Sequence, residues 1–160
     1  MYRSFRQRTP LLVLFSLPFT MLLIGCQEAR HDPRVQELIT QLKTGDDGAR
    51  VKAADELRRI GPGAKAAVPA LIENLGDGHQ HQMVNVAATN ALLRIGPGAA
   101  LAPLVAALDS DDPQIAYGAA FTIGGFGHAA RSAAPALLKA LEKPQTRGAA
   151  NVALKMIQED

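Results

Sequence analysis

Two related stretches, RVKAADELRRIGPGA at residues 50–64 and VNVAATNALLRIGPGA at residues 84–99, decide the fold of this chain. In the first, Ala53, Leu57 and Ile60 are spaced three or four residues apart, so they share one face of a helix. The Gly-Pro-Gly that follows ends a helix, because glycine accepts a left-handed cap and proline does not continue the helix. The same helix and turn therefore occur twice.

A second set of apolar residues recurs with a spacing of 33 residues and precedes each of these helices. Its members are Leu38-Ile39, Leu71-Ile72, Leu104-Val105 and Leu137-Leu138. A proline stands before each pair, and proline is tolerated in the first turn of a helix. These prolines are Pro33, Pro69, Pro103 and Pro135. We predict that every repeat opens with a short helix A at its proline and continues into an alanine-rich helix B.

Helix B is also predicted in the third and fourth repeats, at Ala119–Phe126 and Ala150–Ile157. The two quoted stretches resemble HEAT repeats, particularly the short bacterial type also found in phycobilin lyase subunits. The resemblance implies an all-α fold, a right-handed α-solenoid of four HEAT-like helix pairs. The expected repeats are about residues 33–64, 65–98, 99–130 and 131–160. Such a fold specifies an architecture and no particular chemistry.

The first 25 residues have the profile of a signal peptide. Arg3, Arg6 and Arg8 precede an apolar run from Leu11 to Ile24 that contains Pro18. A membrane-spanning helix needs about 20 apolar residues, and this run is shorter. We therefore expect residues 1–25 to be removed on export.

The end of this run, Leu23-Ile24-Gly25-Cys26, resembles the lipobox of bacterial lipoproteins. The resemblance implies cleavage between Gly25 and Cys26, and attachment to Cys26 of diacylglycerol and an acyl chain such as palmitate. The alternative is a buried free cysteine. Gln27, in place of aspartate, resembles the sorting signal for the outer membrane facing the periplasm. Residues 26–32 then form a tether that holds the repeats near the membrane of the bacterial cell envelope.

The charge balance disfavours nucleic acid as a partner. Residues 26–160 carry 14 basic and 15 acidic side chains, without a basic cluster. Phosphate contacts dominate nucleic-acid affinity and require such a cluster. The partners that we expect are proteins of the envelope, and the contact with the membrane is through the lipid anchor.

We place the candidate binding site on the face of helix B opposite the core, taking about 100° per residue. The ten residues of this face, here called the groove stripe, are Val51, Asp55, Arg58, Val86, Asn90, Leu93, Tyr117, Phe121, Val152 and Lys155. Aromatic residues with apolar neighbours in a groove are typical of a binding hot spot. The alternatives are that the solenoid curls and buries them, or that they are scattered exposed apolar residues.

No catalytic or metal-binding pattern is evident in the sequence. Ser110 and Ser132 stand outside a Gly-x-Ser-x-Gly motif, and His79 and His81 have no third metal ligand nearby in sequence. We expect no catalytic residue, cofactor or metal, and interpret the protein as a membrane-anchored, non-catalytic scaffold for protein–protein interaction or assembly. Two alternatives stay open: a non-catalytic or lyase-like subunit of a two-component enzyme, and a glycan- or lipid-binding module.

Overall fold

The computed structural model describes residues 32–76 and 82–158. The expected signal peptide, its Gly25–Cys26 cleavage site, the lipid attachment at Cys26 and most of the tether lie outside the described residues. His79 and His81 also lie outside them. Where the chain is described, no helix combines the length and the apolar character needed to cross a membrane.

The described residues form successive pairs of helices, which confirms the predicted all-α solenoid. The helices are α1 (Pro33–Thr44), α2 (Asp47–Ile60), α3 (Val68–Glu73), α4 (Gln82–Ile95), α5 (Pro97–Ala107), α6 (Pro113–Gly125), α7 (Ala134–Ala140) and α8 (Arg147–Gln158). The odd-numbered helices correspond to helix A and the even-numbered ones to helix B. Short 3-10 helices at Gly61–Ala67 and Gly127–Ala133 lead into α3 and α7.

Local sequence sets the ends of the B helices. Asp46 caps α2 by accepting a hydrogen bond from the backbone N–H of Ala49 at 2.8 Å, and Asp112 caps α6 through Gln114 at 2.8 Å. The glycine after the helix has a positive φ at two of the ends, 65° at Gly61 and 96° at Gly96. These positive φ angles are strained for residues other than glycine. The prediction that Gly-Pro-Gly ends each of these two helices is thus confirmed.

One predicted helix start is wrong. Pro103 was expected in the first turn of the third helix A, but α5 already begins at Pro97 and contains Pro103 in its interior. The reason is that Pro97 itself occupies the first turn after the Gly96 cap, where its missing N–H is harmless. The segment that forms a 3-10 helix before α3 and α7 is therefore part of the α-helix in this repeat.

The core runs through all the helix pairs as columns of equivalent residues. The helix A column consists of Leu38, Leu71, Leu104 and Leu137, all fully buried. Burying one such leucine contributes about 1.5–3 kcal/mol to folding. Small residues let the B helices approach closely: a Cβ added to Gly124 of α6 would lie 2.8 Å from the Cα of Ala153 in α8.

A buried asparagine joins the first helix pair to the second. The Asn74 side chain is 3% exposed, and its amide donates hydrogen bonds to the carbonyls of Ala70 at 2.7 Å and Leu42 at 3.3 Å. Its Oδ1 accepts from the Arg50 guanidinium at 3.2 Å. Arg50 also pairs with Asp47 at 3.3 Å. The charged residues at the start of α2 thus serve the packing between repeats.

Candidate functional site: a cleft between two B helices

Four of the apolar residues of the groove stripe are exposed to solvent. Val86 on α4 is 54% exposed, Tyr117 and Phe121 on α6 are 47% and 50% exposed, and Val152 on α8 is 47% exposed. These side chains come from three consecutive B helices, and the solenoid does not bury them.

The remaining members of the stripe are more varied. Asn90 and Lys155 are exposed, whereas Asp55, Arg58 and Leu93 are half-buried. Val51 is also half-buried and packs against the hydrophobic core. Val51 therefore offers less surface to a ligand than the sequence pattern indicated.

Three members of the stripe meet in one cleft of about 570 Å³, here called the α4–α6 cleft. Val86 lines it from α4, and Tyr117 and Phe121 line it from α6. The cleft volume lies within the range of about 300–1,000 Å³ that is typical of ligand sites. The other lining residues are Gln82, Asn85, Pro113, Gln114, Gly118 and Gln145.

The turn before α4 is packed against both helices that form the cleft. Asn85 of α4 donates a side-chain hydrogen bond to the carbonyl of Leu75. Gly118 of α6 lies so close to Leu75 that an added Cβ would be 2.9 Å from the Leu75 Cβ. Further along the same helices, Leu93 lies against Gly125, whose added Cβ would be 2.9 Å from a Leu93 methyl group. Both ends of the α4–α6 pair are thus held by close contacts, which fixes the position of Tyr117 and Phe121.

The described residues that line the α4–α6 cleft include no charged side chain. Its polar groups are the four side-chain amides and the Tyr117 hydroxyl. A second cleft of about 420 Å³ lies further along the stripe, and Asp55, Arg58 and Arg94 contribute to its lining. There the Asp55 carboxylate accepts a hydrogen bond from Arg58 at 3.2 Å. The two clefts therefore differ: the described lining of the α4–α6 cleft is uncharged, whereas the second cleft has charged side chains in its lining.

The sequence pattern did not indicate several residues that are exposed beside the stripe or line the cleft. Met83 and Met156 are exposed beside Val86 and Val152, one helical turn away in each case, so helical spacing could have found them. Gln114 is the second residue of α6, and Gln145 lies between α7 and α8. The periodicity of the sequence does not predict that the side-chain amides of Gln114 and Gln145 line the cleft, because tertiary packing brings them there.

Several ionisable side chains of the described residues form ion pairs, such as those of Asp109 with Lys139 and Lys143. Residues 32–76 and 82–158 contain no group of three or more His, Cys, Asp or Glu side chains that could hold a metal ion. The polar character of the α4–α6 cleft comes from neutral groups, which suit hydrogen bonding and stacking.

The chain matches two related families of helical repeats. A family model described as HEAT repeats matches residues 35–116, and one described as PBS lyase HEAT-like repeat matches residues 115–143. The second match includes Tyr117 and Phe121 of the cleft. No protein with a curated description matches this chain.

Proposed function

The chain belongs to the HEAT-repeat proteins, and on that premise we propose that it is a non-catalytic scaffold that holds a protein partner on its groove stripe. In this proposal a lipid on Cys26 anchors the scaffold to a membrane of the bacterial cell envelope. HEAT repeats commonly mediate protein–protein interactions, and the groove stripe lies on the B helices of these repeats.

The observation that carries the binding role is the exposed aromatic pair. Tyr117 and Phe121 are about half exposed, four residues apart on α6, and share the α4–α6 cleft with Val86. Large aromatic side chains gain most when a partner covers them, and they dominate the energetics of interfaces. Exposed apolar side chains on α4, α6 and α8 extend the surface beyond the cleft. Contiguous apolar surface of this kind marks interaction sites.

The envelope location is supported by the sequence of residues 1–27. A positive start, an apolar run and Leu23-Ile24-Gly25-Cys26 together match the lipoprotein pattern. Two or more acyl chains suffice for stable anchoring, and Gln27 favours the outer membrane. In Cys26→Ala we expect loss of lipid labelling and movement of the protein out of the membrane fraction. Unchanged processing and fractionation would refute the anchor.

The binding role is tested by crosslinking in living cells followed by mass spectrometry. The wild type is compared with the double variant Tyr117→Ala/Phe121→Ala, and with Leu138→Ala as the matched control. Leu138 is an equally exposed apolar residue, at 56%, but it lies on α7 outside the cleft. We expect one discrete adduct that is lost in the double variant and kept in the control. An adduct that persists in a folded double variant would refute the proposal.

A second candidate function is a subunit of a two-component enzyme. The match to the PBS lyase HEAT-like repeat over residues 115–143 favours it, because that segment contains both cleft aromatics. This role predicts that the crosslinked partner is an enzyme whose activity depends on the addition of this protein. If the partner is equally active without this protein, the subunit role is refuted and the scaffold role is unaffected.

A further inference from the structure

The ends of two neighbouring B helices bring together basic side chains that lie apart in the sequence. Arg59 is the last residue but one of α2, and Arg94 is the last residue but one of α4. A Cβ added to Gly61, directly after α2, would lie 3.6 Å from the carbonyl oxygen of Arg94, so the two helix ends are neighbours. Lys65 follows in the 3-10 helix that continues from α2. We call Arg59, Lys65 and Arg94 the basic edge.

The basic edge keeps its charge for a partner outside the described protein. All three side chains are exposed, and none makes a hydrogen bond or ion pair with a described residue. The two acidic side chains in the last two turns of α2 are paired with other cations. Asp55 accepts a hydrogen bond from Arg58 at 3.2 Å, and Glu56 accepts one from the Nε of Arg34 at 3.1 Å. Helix α4 contains no acidic residue.

The chain enters the repeats at this same edge. Asp32 caps the start of α1, and Arg34 in its first turn contacts Glu56 near the end of α2. The start of α1 therefore lies beside the helix end that carries Arg59. From Cys26 to Asp32 the chain has seven residues, which span at most about 25 Å. A lipid on Cys26 would thus keep this edge of the repeats within reach of the membrane surface.

A tethered surface needs only a weak attraction to stay on the membrane. Near an anionic membrane surface each Lys or Arg favours the bound state about fivefold, and the attraction extends over about one Debye length. The tether makes the contact intramolecular, so the local concentration of headgroups is high without a separate association step. Guanidinium groups also match phosphate oxygens in geometry, which suits Arg59 and Arg94 to phosphodiester headgroups.

We propose that the basic edge docks on anionic phospholipid headgroups of the membrane that carries the anchor. The B helices then point their carboxyl-terminal ends at the membrane, and a partner on the groove stripe is held next to its surface. This inference rests on the proposed lipid anchor and goes beyond it, because an anchor alone does not orient the repeats. Of the acceptors that could neutralise the edge, lipid headgroups are the ones that the short tether always keeps within reach.

The test measures the orientation of the lipidated protein in nanodiscs that contain a gadolinium-labelled lipid headgroup. Isotope-labelled alanine methyl groups report distance from the membrane through their paramagnetic relaxation. Ala66 is exposed and next to Lys65, whereas Ala49 lies in the first turn of α2, roughly 16 Å along the helix from its end. The discs consist of phosphatidylcholine, or of phosphatidylcholine and phosphatidylglycerol in equal parts. If Cys26 carries no lipid in cells, coupling its thiol to a maleimide phospholipid supplies the same tether.

We expect Ala66 to relax much faster than Ala49 in the discs with phosphatidylglycerol, and the two to relax alike in phosphatidylcholine or at high salt. Arg59→Gln/Arg94→Gln should reduce the preference for this orientation about thirtyfold, the product of two fivefold effects. Its matched control is Lys43→Gln/Lys52→Gln, which removes the same charge from two exposed lysines away from the basic edge. The control should orient as the wild type does. The comparison of lipids and salt needs no variant and does not depend on how the variants fold.

Three results would overturn this inference: equal relaxation of Ala66 and Ala49 in anionic discs, an orientation that ignores phosphatidylglycerol, or equal effects of the two double variants. An acidic protein is the other possible occupant. Loss of the crosslinked partner in Arg59→Gln/Arg94→Gln, without orientation on anionic discs, would assign the edge to that protein and overturn the lipid contact. The proposed anchor fails separately, when the protein from cells carries no lipid on Cys26, and the scaffold function fails only in the crosslinking experiment.

Discussion

The contact between α6 and α8 predicts that adding one methyl group to Gly124 destabilises the fold. In Gly124→Ala the new Cβ would lie 2.8 Å from the Cα of Ala153, 3.1 Å from its Cβ and 3.3 Å from the sulfur of Met156. The first of these contacts is with backbone, so relief requires α8 to move away from α6. Overpacking of this kind costs about 1–3 kcal/mol.

The gain that opposes this cost is the helix propensity of alanine. Alanine is favoured over glycine by about 0.8–1 kcal/mol in a helix interior. The steric cost is larger, because the obstacle is backbone and not the end of a flexible side chain. The difference between the two terms leads us to expect that the free energy of unfolding of Gly124→Ala falls by up to about 2 kcal/mol.

Gly148→Ala is the matched control, since it also adds one methyl group to a glycine at this helix pair. Gly148 lies in the first turn of α8, and a Cβ added there meets nothing within 4 Å. Urea unfolding followed by circular dichroism should show Gly148→Ala as stable as the wild type or more stable, and Gly124→Ala as less stable. If Gly124→Ala were as stable as Gly148→Ala, the close packing of α6 on α8 would be refuted.

Three further predictions concern the packing between repeats and the caps. Asn74→Leu should lower the free energy of unfolding by about 1–3 kcal/mol, because the Leu42 carbonyl loses a buried donor; an unchanged urea midpoint would contradict this. Gly61→Ala should cost about 1–3 kcal/mol, because its φ of 65° is strained for alanine; thermal melting checks it. The pKa of Asp109 is lowered by hydrogen bonds from Lys143 and Lys139. A carboxyl group whose pKa is lower in the folded than in the unfolded protein stabilises the fold at pH values above its unfolded-state pKa. This stabilisation is lost as the pH falls through the folded-state pKa. Asp109→Asn should therefore melt below the wild type at pH 7, and the two melting temperatures should approach each other as the pH falls below the ordinary range of an aspartate pKa; a difference that does not shrink in acid would contradict this.

The repeat architecture could be predicted from the sequence because it depends on local signals. The regular spacing of Leu38, Leu71, Leu104 and Leu137 predicts the buried residues of helix A. The glycines after helix B predict where that helix ends. The failure at Pro103 shows the limit of such signals. Pro97 and Pro103 could each stand in the first turn of α5. Pro97 does so because it directly follows the Gly96 cap.

The candidate site was predictable only in part. Helical spacing placed Tyr117 and Phe121 on an exposed face, and the structure adds that Val86 faces the same cleft. The amides of Gln114 and Gln145 could not be predicted, because they reach the cleft from two different segments that only tertiary packing brings together. Sequence periodicity describes one helix at a time and carries no information on that packing.

The central claim is that the α4–α6 cleft contacts a partner in the cell. The most direct test places a photoreactive phenylalanine analogue at position 121, in the cleft, or at position 138, on the exposed face of α7. Illumination of living cells should give a discrete protein adduct from position 121 and none from position 138. The same adducts from both positions, or none from position 121 in a folded protein, would contradict the claim.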